Sequence, residues 1–177
     1  NNEYSEVGAR ITNNQKEVFH CDMILKVSPL TISEIDLMKG NQVVFSTLHY
    51  LVQNKKYFEK LREKKITAFA FEYIKDQNDC FPVVRSMSEI AGSTSILIAA
   101  EYLSNVHKGK GEMLGGITGV NSTQVLILGA GTAGEFAART ASGLGASVKI
   151  FDNSSYRLRR LQNNIGQRLN TALIQPR

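Results

Sequence analysis

The sequence contains no tryptophan, only two cysteines and three prolines, and no apolar run long enough to cross a membrane. So few prolines exclude a proline-rich linker. Cys21 and Cys80 have no spacing typical of a metal or redox site, so we expect no bound metal and free thiols in a reducing compartment. The longest apolar candidate, 96–100, meets Glu101 well before the ~20 residues of a membrane span. The first residues are polar and lack the apolar core of a signal peptide, which predicts a cytoplasmic protein.

The overall composition is that of a soluble globular protein. Of the 177 residues, 42% are hydrophobic and 21% are charged. The length suffices for one large domain or for two small ones. The net charge is +5, but the basic residues are scattered and few aromatic side chains lie among them. Nucleic-acid binding is therefore not expected as the main role.

The strongest motif is a glycine-rich turn between an apolar run and a helix-forming segment. Gly129, Gly131 and Gly134 have the G-x-G-x-x-G spacing and follow the apolar run 125–128. The first glycine permits the tight turn that leaves the strand, and the second lets the backbone approach a pyrophosphate. The third lets the helix pack closely on the strand. The pattern predicts the first βαβ unit of a Rossmann-type dinucleotide-binding domain; the alternative is a structural turn that binds no ligand.

The residues around this turn predict how a dinucleotide is held. Thr132 and Ala133 open the helix, whose free N–H groups and positive dipole end favour phosphate. Asp152 ends a second apolar strand, where its carboxylate can accept both hydroxyls of an adenosine ribose. Because a 2′-phosphate would meet that carboxylate, the sequence predicts NAD rather than NADP. The arginines that follow could instead form a 2′-phosphate site, although on such a helix they more often form a solvated face: Arg157, Arg159 and Arg160.

Strand and helix patterns alternate along the rest of the chain, which implies parallel sheets with right-handed crossovers. Ser86 and Glu89 form a capping box that predicts the start of a long helix reaching about His107, after a short extended piece at 81–84. Thr31 or Ser33, Asn54, and Ser154 or Ser155 are candidate caps of three other helices. Only the first half of a doubly wound nucleotide domain is visible, so we expect a piece of a longer enzyme.

Several local runs together resemble one family, that of alanine dehydrogenase and its relative, the NAD-binding component of proton-translocating transhydrogenase. The resemblance covers nearly the whole chain and is closer to alanine dehydrogenase. It implies an α/β substrate domain over residues 1–85, in part, and the first half of a Rossmann-type doubly wound NAD-binding domain over 86–177. It also implies a homo-oligomer. The runs that carry it are 24–27, 45–49, 70–72, 87–92, 115–120 and 125–134.

The resemblance implies the reversible oxidative deamination of L-alanine to pyruvate and ammonia, with NAD as cofactor. His49 matches the histidine that binds the pyruvate oxygen and assists proton transfer in the family. Independently, a histidine just past the carboxyl end of an α/β strand lies where such folds place ligands. The alternative is a structural histidine at a strand end. Ser88 matches a serine that faces the cofactor pyrophosphate, in what we expect to be the first turn of its helix, and Arg157 matches a basic residue near the adenosine ribose.

The chain also departs from the family pattern. The lysine that anchors the substrate carboxylate is replaced by Ser28, while Lys26 retains the preceding lysine of that strand. The two positions share a strand face, so Lys26 is the nearest substitute for the missing charge, although a structural role is the plainer interpretation. Ser93 stands where the family commonly has an arginine. These departures leave open a transhydrogenase-type hydride carrier docked on membrane partners, or a non-catalytic NAD-binding paralogue.

Two further comparisons with the family bear on activity. Transhydrogenase relatives also lack the lysine, but they carry an aromatic residue at the position of His49 and an extra loop near the long helix that this sequence lacks. The family's substrate-binding arginine precedes the segment in hand, and its catalytic aspartate follows it. We therefore expect that the 177 residues alone do not catalyse the reduction of NAD by alanine.

Overall fold

The computed structural model describes residues 2–174. The chain divides into two compact units, Asn1–Val83 and Val84–Arg177. Each unit has its own three-stranded parallel sheet and its own hydrophobic core. The mixed α/β architecture predicted from the sequence is confirmed. Among the described residues, no helix combines the length and the apolar character needed to cross a membrane.

In the first unit, the strands lie in the order β1-β2-β3 and all pairs are parallel. Local signals define the helices: Thr31 and Glu34 form a complete capping box, and the Asn54 side chain accepts the Tyr57 amide hydrogen. The core between sheet and helices contains Ile35 and Val44, which are fully buried. The elements are α1 (Asn2–Glu6), α2 (Gln15–Phe19), β1 (Met23–Leu25), α3 (Ile32–Leu37), β2 (Val43–Ser46), α4 (Lys55–Glu63) and β3 (Thr67–Ala70).

In the second unit, the strand order is β4-β5-β6, again with parallel pairing throughout. This is the order of one half of a doubly wound sheet. Small side chains let α6 lie close to the sheet, since Ala138 and Ala141 are fully buried beside Ile150. The elements are α5 (Pro82–Leu103), β4 (Gln124–Leu128), α6 (Thr132–Gly143), β5 (Ser147–Asp152), α7 (Ser155–Ile165) and β6 (Asn170–Leu173).

The start of α5 differs from the sequence prediction. The helix begins at Pro82, so the extended piece expected at 81–84 is wrong, and Ser86 lies inside the helix rather than at its N-cap. Proline is favoured in the first turn because the amide hydrogen it lacks would have no helical partner. The Glu89 carboxylate accepts a hydrogen bond from Arg85, one turn earlier, at 3.0 Å. A residue pair with capping-box spacing therefore serves here as part of a helix surface.

Candidate functional site

The turn between β4 and α6 has the geometry that its glycines predict. Gly129 has φ +107°, which side chains with a Cβ rarely adopt. A Cβ on Gly134 would lie 1.9 Å from the Gly129 carbonyl oxygen, so only glycine allows this contact between helix and turn. A Cβ on Gly131 would meet nothing within 4 Å. Two glycines are thus required by the fold, and the third leaves open space where the motif places a pyrophosphate.

The amino end of α6 is available to an anion. Gly131 is the N-cap and provides no side-chain hydrogen bond, so no side chain caps the first turn. Thr132 is half-buried and Ala133 is exposed in that turn. The first amides of a helix have no partner within the helix, and the helix dipole adds positive potential there. The 12-residue helix can therefore bind phosphate oxygens at this end.

Glu135, the acidic side chain in the same first turn of α6, forms hydrogen bonds within the protein. Glu135 is 6% exposed, and its two carboxylate oxygens accept hydrogen bonds from Arg139 and from the Asn164 amide, at 2.8 and 3.0 Å. Arg139 also donates to the Asn164 carbonyl oxygen at 2.9 Å. These contacts join α6 to α7 and give the buried carboxylate a cationic partner. The charge of Glu135 is thus compensated within the protein.

The Asp152 carboxylate accepts backbone hydrogen bonds that the sequence did not predict. Its Oδ2 accepts the Ala130 amide hydrogen and its Oδ1 accepts the Ser154 amide hydrogen, each at 2.7 Å. These bonds, that of Ala130 foremost, lower the pKa of the carboxyl, and the nearby Arg157 contributes to the same shift. Because Ala130 lies between Gly129 and Gly131, the carboxylate fixes the turn 129–134, the candidate dinucleotide turn. Each oxygen still has a lone pair for a further hydrogen bond, which leaves a ribose contact possible.

The arginines near Asp152 lie on the surface of α7. Ser154 caps this helix, since its Oγ accepts the Arg157 amide hydrogen at 3.4 Å. Arg157 is exposed in the first turn, close enough to Asp152 to affect its pKa. Arg159 and Arg160 are exposed further along the helix. The structure therefore brings one of the three arginines near the carboxyl end of β5.

Ser88 does not lie at the helix end where the sequence placed it. This residue lies nearly two turns after Pro82, so it is not in the first turn of α5 and the free amides invoked for it are absent. Gly92 follows one turn later on the same helix face. A Cβ on Gly92 would lie 2.2 Å from the Ala133 carbonyl oxygen, so α5 packs tightly against the first turn of α6. Ser88 is half-buried one turn before Gly92, on the helix face that packs against the first turn of α6.

A second group of candidate residues follows the strands of the first unit. His49 comes three residues after the last residue of β2 and is exposed, with φ +46°. Its amide and that of Leu48 both donate to Oε1 of Glu72, at 3.0 and 2.8 Å. Among the described residues, the imidazole itself has no hydrogen-bond partner. The side chain is thus free to meet a ligand, while the backbone that carries it is fixed.

Lys26 is engaged within the protein. Its Nζ forms an ion pair with Glu34 at 2.7 Å and donates to the Pro29 carbonyl oxygen at 3.1 Å. Burial opposes ionisation of Glu34, but the bonds from Lys26 and the Thr31 amide outweigh it and lower the pKa of that carboxyl. Lys26 therefore anchors the start of α3. The structure ends β1 at Leu25, so the prediction that Lys26 and Ser28 share a face of this strand is wrong: both lie beyond its end, and Ser28 is exposed.

Sequence reasoning assigned no role to Glu72, although it lay within a run that resembled the family. The signal that could have found it is its position, two residues after the end of β3 in a parallel sheet. Side chains at the carboxyl ends of such strands meet at one edge. The bond from Glu72 to the end of β2 is an example of that rule.

The family model for "Alanine dehydrogenase/PNT, N-terminal domain" matches residues 1–91, and that for the C-terminal domain matches residues 95–177. Together they account for almost the entire chain. This chain belongs to the alanine dehydrogenase/PNT family.

Individual members of the alanine dehydrogenase/PNT family support this assignment. An alanine dehydrogenase from Methanococcus maripaludis is 40% identical over 172 residues, which is 97% of this chain and 46% of that protein. A solved L-alanine dehydrogenase matches with a TM-score of 0.86 and 34% identity, over 98% of this chain and 48% of that one. A transhydrogenase from Sinorhizobium meliloti shares the fold, with a TM-score of 0.79 at 23% identity, over 97% of this chain and 50% of that one. The chain spans about half the length of the curated relatives it matches.

Proposed function

We propose that the full-length protein is an NAD-dependent amino-acid dehydrogenase that oxidises L-alanine to pyruvate and ammonia. The observation that carries the proposal is His49, exposed beyond β2 on a fixed backbone, in a chain whose other unit has an open dinucleotide turn. Membership of the alanine dehydrogenase/PNT family supports the same reaction. The substrate would be a small amino acid or keto acid, and the partner a second copy of the same protein in a homo-oligomer.

In this proposal the second unit binds the cofactor. The turn at Gly129, Gly131 and Gly134, with the first amides of α6, would hold the pyrophosphate. Asp152 would accept the ribose hydroxyls with its remaining lone pairs, and Arg157 would lie nearby. When bound, the nicotinamide supplies the hydride chemistry. The negative charge of Asp152, together with its low pKa, supports a preference for NAD over NADP.

His49 would assist proton transfer at the substrate. Its exposed side chain has no hydrogen-bond partner among the described residues, so both ring nitrogens are available to a substrate. The imidazole can therefore hydrogen-bond a carbonyl oxygen when protonated and accept a proton when neutral.

Within the part of the chain that the structure describes, the proposed site lacks an obvious free cation to bind the carboxylate of alanine. A carboxylate binds best to a fixed cation, but Ser28 is neutral and Lys26 is already paired with Glu34. This supports a second candidate function, a transhydrogenase-type hydride carrier, and also a non-catalytic NAD-binding paralogue. His49 favours the dehydrogenase, since the transhydrogenase relatives have an aromatic residue at that position.

The experiment is to purify the full-length protein and follow NAD reduction with L-alanine, together with NAD and NADP binding by calorimetry. The proposal expects steady alanine-dependent reduction and tighter binding of NAD. NAD binding without turnover of any small amino acid would contradict it. A parallel assay of hydride transfer from NADPH to an NAD analogue would then separate the transhydrogenase-type function from the non-catalytic one.

A further inference from the structure

Glu72 connects the ends of two neighbouring strands. It lies in a short 3₁₀ turn, Phe71–Tyr73, that follows β3 directly. Its Oε1 accepts the amide hydrogens of Leu48 and His49, at N···O distances of 2.8 and 3.0 Å. Both amides follow β2, which pairs with β3 in parallel. One carboxylate oxygen therefore fixes the two peptide groups that lead into the candidate catalytic histidine.

The backbone of His49 is held on its other side as well. Its carbonyl oxygen accepts the amide hydrogens of Val52 and Gln53, at 2.8 and 3.1 Å. Between these contacts the residue has φ +46°, in the left-handed region that residues with a Cβ seldom occupy. Such conformations persist only where the surroundings determine them, and they cluster at functional sites. The observed conformation thus depends on the hydrogen bonds around it.

The left-handed conformation matters because it sets the direction of the side chain. A residue that continued the strand would project its Cβ along the alternating pattern of β2. At φ +46° the Cβ of His49 leaves the strand end in a different direction. Without Glu72, the partly buried Leu48 amide would lose its acceptor and the His49 amide would be free to rotate. The imidazole would then sample several directions.

We propose that Glu72 is the positioning residue that presents the His49 imidazole to the substrate. It acts through Oε1 as a hydrogen-bond acceptor, not through its charge. The inference rests on the proposed role of His49 in proton transfer. A competing interpretation uses the other oxygen, because Oε2 is buried without a partner among residues 2–174 and could attract a cationic group of the substrate.

Two variants of the full-length protein separate these interpretations. Glu72→Gln removes the charge but keeps an acceptor oxygen at the same distance from the backbone. Glu72→Asp keeps the charge but withdraws it by one methylene from both amides. Acceptor positioning predicts that the Gln variant keeps most of the wild-type kcat. It predicts that the Asp variant loses up to about 10²-fold, since displacing a reacting group by ~1 Å has effects of this size. The opposite order would overturn the proposal.

Other readouts distinguish positioning from a loss of folding. The KM for NAD should stay unchanged in both Glu72 variants, and amide hydrogen exchange should speed up at residues 48 and 49 in the Asp variant only. Glu63→Ala removes an exposed carboxylate from α4 of the same unit and serves as the control, with wild-type rates expected. A rate loss in the Asp variant without faster exchange at these two amides would contradict the positioning role.

A double-variant cycle with His49→Asn completes the test. Asparagine removes the imidazole and tolerates positive φ, so it perturbs the backbone less than alanine would. If Glu72 acts through the imidazole, Glu72→Asp should lower kcat little further in the His49→Asn background. Independent, multiplicative losses would refute the inference. If His49→Asn alone leaves kcat unchanged, the proposed function of His49 fails, while hydrogen exchange still reports separately whether Glu72 fixes the backbone.

Discussion

Replacing Asp152 should damage the dinucleotide turn itself, not merely change the choice of cofactor. Asp152 is 5% exposed, and its carboxylate accepts amide hydrogens from Ala130 and Ser154, both at 2.7 Å. Asp152→Asn keeps the size of the side chain but turns one acceptor oxygen into a donor NH₂ group. One of the two amides then faces a donor. Asp152→Ala leaves both amides without their partner.

The expected size follows from these contacts. A hydrogen bond to a charged group contributes about 1.5–3 kcal/mol, and a buried donor without an acceptor costs about 1–3 kcal/mol. Asp152→Asn should therefore lower the free energy of unfolding by roughly 2–3 kcal/mol, from one lost bond in a partly relaxed site. Asp152→Ala should cost more. Because Ala130 lies inside the glycine turn, both variants should weaken NAD and NADP binding together, and Asp152→Ala should also narrow the preference for NAD.

Urea unfolding and calorimetric titration of the full-length protein test this prediction. Asp76 provides a matched control, since its Oδ1 also accepts two amide hydrogens, from Asn78 and Cys80 at 2.8 and 3.0 Å, but in an exposed turn. Asp76→Asn should cost less and leave dinucleotide affinity unchanged. The reasoning is refuted if Asp152→Asn unfolds like the wild type and simply gains affinity for NADP.

The same contacts predict that the free energy of unfolding depends on pH. The pKa of Asp152 is lowered in the folded protein, chiefly by the Ala130 amide. The unfolded state therefore binds this proton more readily, so the stabilisation is complete above the ordinary aspartate pKa. It is lost as the pH falls below about 4 and through the lowered pKa of the folded protein. Unfolding curves of the wild type and Asp152→Asn should converge in that acidic range and separate above it.

Three further predictions concern other positions. Gly134→Ala should destabilise the second unit by about 1–3 kcal/mol, because its Cβ would lie 1.9 Å from the Gly129 carbonyl oxygen. Gly143→Ala in the same helix is the control, since its Cβ would meet open space and should not destabilise the protein. Urea unfolding measures both effects. Ser28→Lys in the full-length protein should lower the Michaelis constant for alanine, and an unchanged constant would mean that another cation binds the carboxylate. The purified 177-residue chain should not reduce NAD with alanine, and steady turnover by it would contradict this.

Features that depend on local sequence were predictable. The G-x-G-x-x-G spacing identified the β4–α6 turn because backbone conformation and close contact restrict those positions to glycine. The caps Thr31 and Asn54 bond to amides within the next turn, so their partners are near them in sequence. Alternation of strands and helices was enough to predict both parallel sheets.

Features that depend on distant partners were not predictable. The Asp152 carboxylate bonds to Ala130, and Glu72 bonds to the end of β2; both contacts exist only once parallel strands are aligned. The capping-box pattern at Ser86 failed for a different reason: a proline earlier in the chain started the helix first, and Glu89 paired with Arg85. The ion pair of Lys26 with Glu34 was likewise invisible, because α3 had to be placed against the end of β1.

The most direct test of the account is the kcat for alanine-dependent NAD reduction by the full-length protein and its His49→Asn variant, measured with NAD affinity on the same samples. The account predicts that the wild type turns over and that the variant loses about 10²–10⁴-fold in kcat, as expected when a general acid–base group is removed. NAD affinity should be equal in the two proteins, since the dinucleotide turn belongs to the other unit. Equal kcat values would contradict the central claim that His49 serves an amino-acid dehydrogenase.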